Sequence, residues 1–367
     1  MHARLHLGLS LLPLLLFAAL PAPAAGPEVD AIKAEIDRLQ HSLKNKPVTD
    51  PNYAPISSMA GQSLKDAAEA LDSGRIYLSL EKLLQAEDFL LASQFPVEKA
   101  MVVKSSMPAF EAEWQKISQI LASGSSEVRQ KDLGASSAAL RALIETGLGR
   151  SVPLLEGGRG FAVSTKPADG LLYLGQAQGE VAFARFASAL PLSAGNAPFP
   201  LRSFLSELHK LQEKTNAAFK PPRSIQLHDR FIALNSALKL AQELDSQKSY
   251  AGALYQYLEA TRHYALLDAP PVDPAAQADL KTSIAFKRKE LASSKRDDSL
   301  ALLFVERAER QINHPDGSAP SADEWRSTQV IMDRVLPAYN AARKTAGPLD
   351  QPSGKTVELT LVRWPYT

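Results

Sequence analysis

Tyr250, Tyr257 and Tyr264 recur every seven residues, a spacing that puts three phenol rings on one face of a helix, with Tyr255 and His263 beside them. Such a stripe serves one of two purposes. It is the seam of a helix hairpin whose hydroxyls reach the rim, or it lines a concave aromatic groove for a peptide or a glycan, because rigid amphipathic rings bind at low entropic cost. Tyr250, Tyr255, Tyr257 and Tyr264 are therefore the candidate binding residues. Beyond position 24 the histidines are His41, His209, His228, His263 and His314; none falls in a histidine-glutamate metal motif and no two share a helical face, so neither a metal nor a cofactor is expected. Lys281, Lys287, Arg288, Lys289, Lys295 and Arg296 form a basic run followed by Asp297-Asp298. It reads as a solvated helix face, or as a contact to an acidic partner or lipid surface.

The elements that must position these residues are bounded by composition. The chain has 367 residues, 45% of them apolar and 22% charged, and it lacks cysteine altogether. That excludes disulfide scaffolds, thiolate metal sites and cysteine nucleophiles. Lys and Arg number 41 against 40 Asp and Glu, so no field of one sign surrounds the molecule and no nucleic-acid partner is expected. Arg4, the uncharged run Leu7–Leu20 and Ala22-Pro23-Ala24 read as an export signal cleaved after Ala24, which directs the chain to the periplasm or the outside medium. No later apolar stretch is long enough to cross a bilayer.

Past the signal, apolar residues recur at helical spacing, as in Val29, Ile32, Ile36, Leu39 and Leu43, or Phe110, Trp114, Ile117 and Leu121. Prolines separate the stripes, among them Pro47 to Pro55, Pro96, Pro167, Pro191 to Pro200 and Pro270 to Pro274, which predicts about twelve helices. Two segments depart from this pattern. Gly157-Gly158-Arg159-Gly160 reads as a glycine-rich loop running into a short β-like stretch, Phe161 to Thr165, and Thr356 to Trp364 alternates like a strand. That last strand would pair with Phe161–Thr165, fray, or add to the sheet of a partner protein.

The two halves of the chain resemble each other. Glu35-Ile36-Asp37-Arg38-Leu39-Gln40 matches Glu207-Leu208-His209-Lys210-Leu211-Gln212 at an offset of 172 residues, and Leu71-Asp72-Ser73 matches Leu244-Asp245-Ser246 at 173. Ile76, Ser79, Leu80, Leu83 and Ala86 match Tyr250, Ala253, Leu254, Tyr257 and Ala260 at 174. Pro96-Val97 then matches Pro271-Val272, Ala109-Phe110 matches Ala285-Phe286, and Ala168-Asp169 matches Ala322-Asp323 at 154. A drifting offset with its steps between helices is the mark of an aged tandem duplication.

The run Tyr250, Ala253, Leu254, Tyr257, Ala260, with Leu240-Ala241 in the preceding helix, resembles the helix pair of tetratricopeptide proteins; Ile76 to Ala86 resembles it less closely. No 34-residue period continues beyond these segments, so the resemblance implies hairpin packing rather than an array. Ala142-Leu143-Ile144-Glu145-Thr146-Gly147, with Gly157-Gly158-Arg159-Gly160 after it and Ala338-Tyr339-Asn340-Ala341 later, resembles the surroundings of the catalytic glutamate in lytic transglycosylases. That likeness implies peptidoglycan cleavage with Glu145 as general acid and base. Phe161-Ala162-Val163 stands where that family has Leu-Met-Gln, and the Tyr-Asn motif comes much later than it should.

These features predict an all-α protein of two related helix-hairpin halves, residues 28–190 and 199–346, behind a 1–24 signal and ahead of a linker and strand at 347–367. The expected role is a non-catalytic binding or scaffolding protein of the cell envelope whose partner is a protein or an envelope polymer. Glycan cleavage through Glu145 is the alternative.

Overall fold

A computed structural model describes residues 26–194, 197–221 and 223–344. Among these the chain is all-α; the only β feature is a single antiparallel bridge between Ser136 and Ser193. The predicted strand Thr356 to Trp364, and with it the expected strand pairing, lies outside the described residues, as does the 1–24 signal. No helix among the described residues is long and apolar enough to cross a membrane.

Six helices come first: α1 (Pro27–Asn45), α2 (Ala54–Asp72), α3 (Ile76–Val103), α4 (Met107–Gln130), α5 (Ala138–Ser164) and α6 (Leu171–Ala187). They are followed by α7 (Leu205–Ala218), the single turn α8 (Arg223–Gln226), α9 (His228–Ser246), α10 (Tyr250–Ala265), α11 (Pro274–Ala292) and α12 (Ser299–Ile312). The last helix is split by a π turn at Ile331–Val335 into α13 (Ala322–Val330) and α14 (Leu336–Lys344). Local signals start several of them. Ser106 caps α4 through the Ala109 N–H ahead of Pro108, Asp273 caps α11 ahead of Pro274, and Ser321 with Glu324 forms a full capping box on α13.

Two sequence expectations fail on α3 and α5. Pro96 does not end a helix: α3 runs through it, and Phe95 and Val103 on either side are buried in a small second core. The missing N–H removes one helical hydrogen bond, a cost the flanking burial offsets. The glycine-rich loop and β-like stretch are instead the last turns of α5. Gly157 and Gly160 face open space, but a Cβ on Gly158 would lie 2.9 Å from the Gly170 carbonyl oxygen, so this glycine permits a close crossing. Leu155 and Ala162 then bury in the second core and hold the helix through glycines that disfavour it by about 1 kcal/mol each.

The main core is continuous, from Ile32 on α1 to Ala342 on α14. Within it the hairpins α2/α3 and α9/α10 match closely. Residue 54 stands against 228, 72 against 246 and 76 against 250, a constant offset of 174. Both hairpins turn through a left-handed residue, Gly74 at φ 68° and Lys248 at φ 61°. Both turns close with the same bonds: Arg75 N–H to the Ala70 carbonyl in the first, Ser249 N–H to the Leu244 carbonyl in the second. The structural register across α2 and α9 is therefore 174, and the Leu-Asp-Ser identity at 173 is one residue out. On α1 and α7 the offset of 172 does align buried positions, Ile32, Ile36 and Leu39 with Phe204, Leu208 and Leu211. The matches at Pro96 and Phe110 are not equivalent: Pro271 lies outside any helix, and Phe286 is 69% exposed where Phe110 is buried.

The halves also complete each other. Glu306 of α12 accepts the Leu78 N–H at the start of α3 (2.8 Å), and Glu145 of α5 accepts the Gly252 N–H at the start of α10 (2.8 Å). Residues 78 and 252 are again 174 apart. Each carboxylate satisfies a first-turn donor that its own helix leaves without a partner.

Candidate functional site

Tyr257 and Tyr264 line a groove of about 840 Å³ formed by α7, α10, the segment that follows α10, and α13 with its π turn. Leu211, Val330 and the Pro270-Pro271-Val272 segment add apolar wall. Both tyrosines are partly buried and pack against the main core, and burial raises the Tyr257 phenol above its usual pKa. The groove carries charges of both signs, but they are engaged unequally. Glu207 is held by Arg202, Asp273 caps α11, Asp333 accepts from Gln329 at 2.5 Å, and Asp268 is engaged as well. Lys210 and Lys214, one turn apart on α7, and Arg334 across the groove are exposed, and among the described residues none has a carboxylate within ion-pair distance.

The positions 174 residues earlier in the chain are packed rather than open. Leu83 and Leu90, 174 residues before Tyr257 and Tyr264, are fully buried. Arg38, 172 before Lys210, sits 3.1 Å from the buried Glu87 carboxylate; 174 after Glu87 the chain has Thr261, whose hydroxyl donates to the Tyr257 carbonyl. Gln94 ties α3 to α1 by donating to the Ser42 and Lys46 carbonyls at 3.3 Å each. Above them α6 comes down onto α3 through two glycines one turn apart. A Cβ on Gly175 would be 2.3 Å from the Leu91 carbonyl oxygen, and one on Gly179 would be 2.8 Å from that of Glu87. At the sequence offset of 154 that aligns Ala168 with Ala322, the positions of these glycines correspond to Gln329 and Asp333, both of which line the groove.

The remaining candidates are elsewhere. Tyr250, in the first turn of α10, packs against the core and does not line this groove. Tyr255 is 7% exposed on a different face of α10; its hydroxyl donates to Glu81 at 2.7 Å and its ring lies 5.4 Å from the Arg307 guanidinium. Residues 81 and 255 are a further pair 174 apart, so this contact joins equivalent positions of the two hairpins. Arg307 bridges Glu81 and Glu259 in the same buried network. Two of the four predicted tyrosines thus share the groove, while Tyr255 is a core residue because the seven-residue spacing excludes it from their face.

Glu145 lies inside α5 rather than at a helix end. One carboxylate oxygen accepts from Arg141 (3.2 Å) and the other from the Gly252 N–H, while burial raises its pKa. One oxygen is thus held within α5 and the other joins α5 to α10. The carboxyls pushed furthest up lie in the packed interior. Glu306 rises to about 8 through burial, against the pull of the Leu78 N–H, and Glu87 to about 7 through burial, against Arg38. Glu180, fully buried beside Arg150 and Asp88, is raised for the same reason.

His263 sits between Arg262 and Glu259, and burial lowers it to about 4. His314 is 2.9 Å from Glu324, and no group of three or more His, Asp or Glu among the described residues could hold a metal. Part of the basic run is engaged internally: Lys287 pairs with Glu290, Arg288 with Glu309, and Lys281 covers the Trp325 ring at 5.5 Å. Sequence reasoning missed the groove walls on α7 and α13. A usable signal was present in Gly175 and Gly179, whose four-residue spacing inside an apolar helix marks a close crossing that its later counterpart lacks. Compared with known proteins, the chain matches no family model, no curated protein and no solved structure.

Proposed function

We propose that this chain is an exported, non-catalytic binding module of the cell envelope, and that it takes a segment of a partner protein into the groove over Tyr257 and Tyr264. We read it as two copies of one six-helix unit, of which the first serves as scaffold and the second as receptor. The observation that carries the reading is the opening of α13 away from α10 over two partly buried tyrosines, where the same elements of the first half close over leucines. Aromatic side chains in a concave, largely apolar site are the usual anchors of recognition. The reciprocal caps at Leu78 and Gly252, and the matching turns at Gly74 and Lys248, support the duplication. The likeness to tetratricopeptide helix pairs fits as hairpin packing, since Ala253 and Ala260 are both fully buried.

The test is binding of partners recovered from the envelope to the full chain carrying Tyr257→Ala or Tyr264→Ala. A loss of roughly tenfold or more in affinity is expected, with thermal unfolding still cooperative. Unchanged affinity in both folded variants would remove the groove from the function.

A further inference from the structure

The first half shows what the groove of the second half lacks. On the closed side a cation of α1, Arg38, pairs with Glu35 of its own helix at 2.7 Å and also meets a carboxylate of α3, Glu87, at 3.1 Å, beneath the backbone crossing at Gly179. On the open side the cation is kept as Lys210, Lys214 adds a second one turn on, and the carboxylate position is Thr261. Of the groove's four carboxylates, Glu207, Asp273 and Asp333 are held by Arg202, the α11 N-terminus and Gln329 respectively, and Asp268 is engaged as well, so none takes the place of Glu87. Arg334, exposed and without a carboxylate within ion-pair distance among the described residues, adds a positive charge on the opposite wall.

From this internal comparison we propose that the groove recognises an acidic peptide segment, whose Asp or Glu carboxylate meets Lys210 in the place Glu87 occupies in the first half while a neighbouring apolar side chain packs on Tyr257 and Tyr264. This rests on the groove reading above and specifies its ligand. The apolar wall of Leu211, Val330 and Pro270-Pro271-Val272 suits an aliphatic or aromatic side chain beside the acid, which a peptide supplies. Charge-assisted hydrogen bonds from lysine set the register, and the rings contribute most of the buried area.

The discriminating variant supplies the missing group from within. Thr261→Glu places a carboxylate where Glu87 would be, and Thr261→Gln is its uncharged control. The probe is a library of random linear peptides selected on the full chain, with binding of the enriched peptides measured against each variant and against salt. Enriched peptides should carry Asp or Glu next to an apolar residue. Thr261→Glu should weaken them by at least about tenfold, Thr261→Gln by no more than about threefold, and Lys210→Glu, on an exposed site, by at least about fivefold. Affinity should also fall as salt rises.

Peptides that need Tyr257 but show no acidic preference, or that tolerate Thr261→Glu, would overturn the carboxylate assignment and leave the groove reading standing. No enrichment, or enrichment indifferent to Tyr257→Ala, would overturn both. Binding of carboxylated glycans that is lost in Thr261→Glu, without any peptide enrichment, would overturn the peptide class. Should Thr261→Glu fail to unfold cooperatively, Lys210→Glu decides the matter alone.

Discussion

Around α3 the helices meet, and around α10 they part. In the first half Gly175 and Gly179 bring the α6 backbone onto α3, Glu87 joins Glu35 on Arg38, and Leu83 and Leu90 are sealed from water. In the second half Gln329 and Asp333 line an open groove, Thr261 lies 174 residues after Glu87, and Tyr257 and Tyr264 lie 174 after the two leucines. On the duplication proposed above, a handful of side chains decides between a sealed seam and an open groove. Wherever two glycines become polar residues, two backbones can no longer touch, and the space between them becomes available to something else.

The largest expected effect lies at the sealed seam. Gly179→Leu forces a side chain between α3 and α6 and should cost about 3 kcal/mol or more in urea unfolding, whereas Asp333→Leu, at an exposed counterpart, should stay within about 0.5 kcal/mol. Equal losses at the two sites would break the comparison. Next come the reciprocal caps. Glu306→Ala and Glu145→Ala each leave a first-turn N–H without its acceptor and should each cost about 1–3 kcal/mol, the more buried Glu306 the more. A cap whose removal is neutral would show the halves to be unlike in energy as well as in shape.

The same carboxyls set a pH dependence. Glu306 near 8 and Glu87 near 7 are raised above the ordinary glutamate value of 4.5, so the folded chain binds more protons than the unfolded one between those limits. Their contribution to stability is complete below about 4.5 and is lost as pH rises through 7 to 8. Melting temperature should consequently be higher at pH 5 than at pH 8.5, and Glu306→Gln should flatten that difference. The smallest effect is at the matched turns. Lys248→Gly should stabilise by about 1 kcal/mol by relieving a left-handed non-glycine residue, and Gly74→Ala should destabilise by a similar amount, both measurable by chemical unfolding.

Much of this architecture was legible in the chain. Stripes such as Ile32, Ile36 and Leu39 report buried faces directly, and Ile76–Ala86 and Tyr250–Ala260 each open the second helix of a hairpin. Where identity misled, geometry explains why. Leu71-Asp72-Ser73 and Leu244-Asp245-Ser246 look alike, yet the left-handed residues at 74 and 248 fix the register one residue further on. Gly157 to Gly160 reads as a loop because glycine weakens helices, but burial of Leu155 and Ala162 outweighs that local preference. The heptad spacing selects Tyr257 and Tyr264 together, but the walls facing them come from α7 and α13, far apart in the chain, and no local pattern announces their meeting. Glu145 invites a catalytic reading for a related reason: its partner, the Gly252 N–H, is a backbone group on another helix.

The crossed caps have a bearing on how the chain can be divided. A nick in the connection between Ala187 and Leu205 would separate Glu145 from the helix start it serves and Glu306 from the other, and it would cut across a continuous core. Neither fragment would be self-sufficient. Ribosomal release of the first six helices thus yields a half-built object that must wait for its sibling before either is complete.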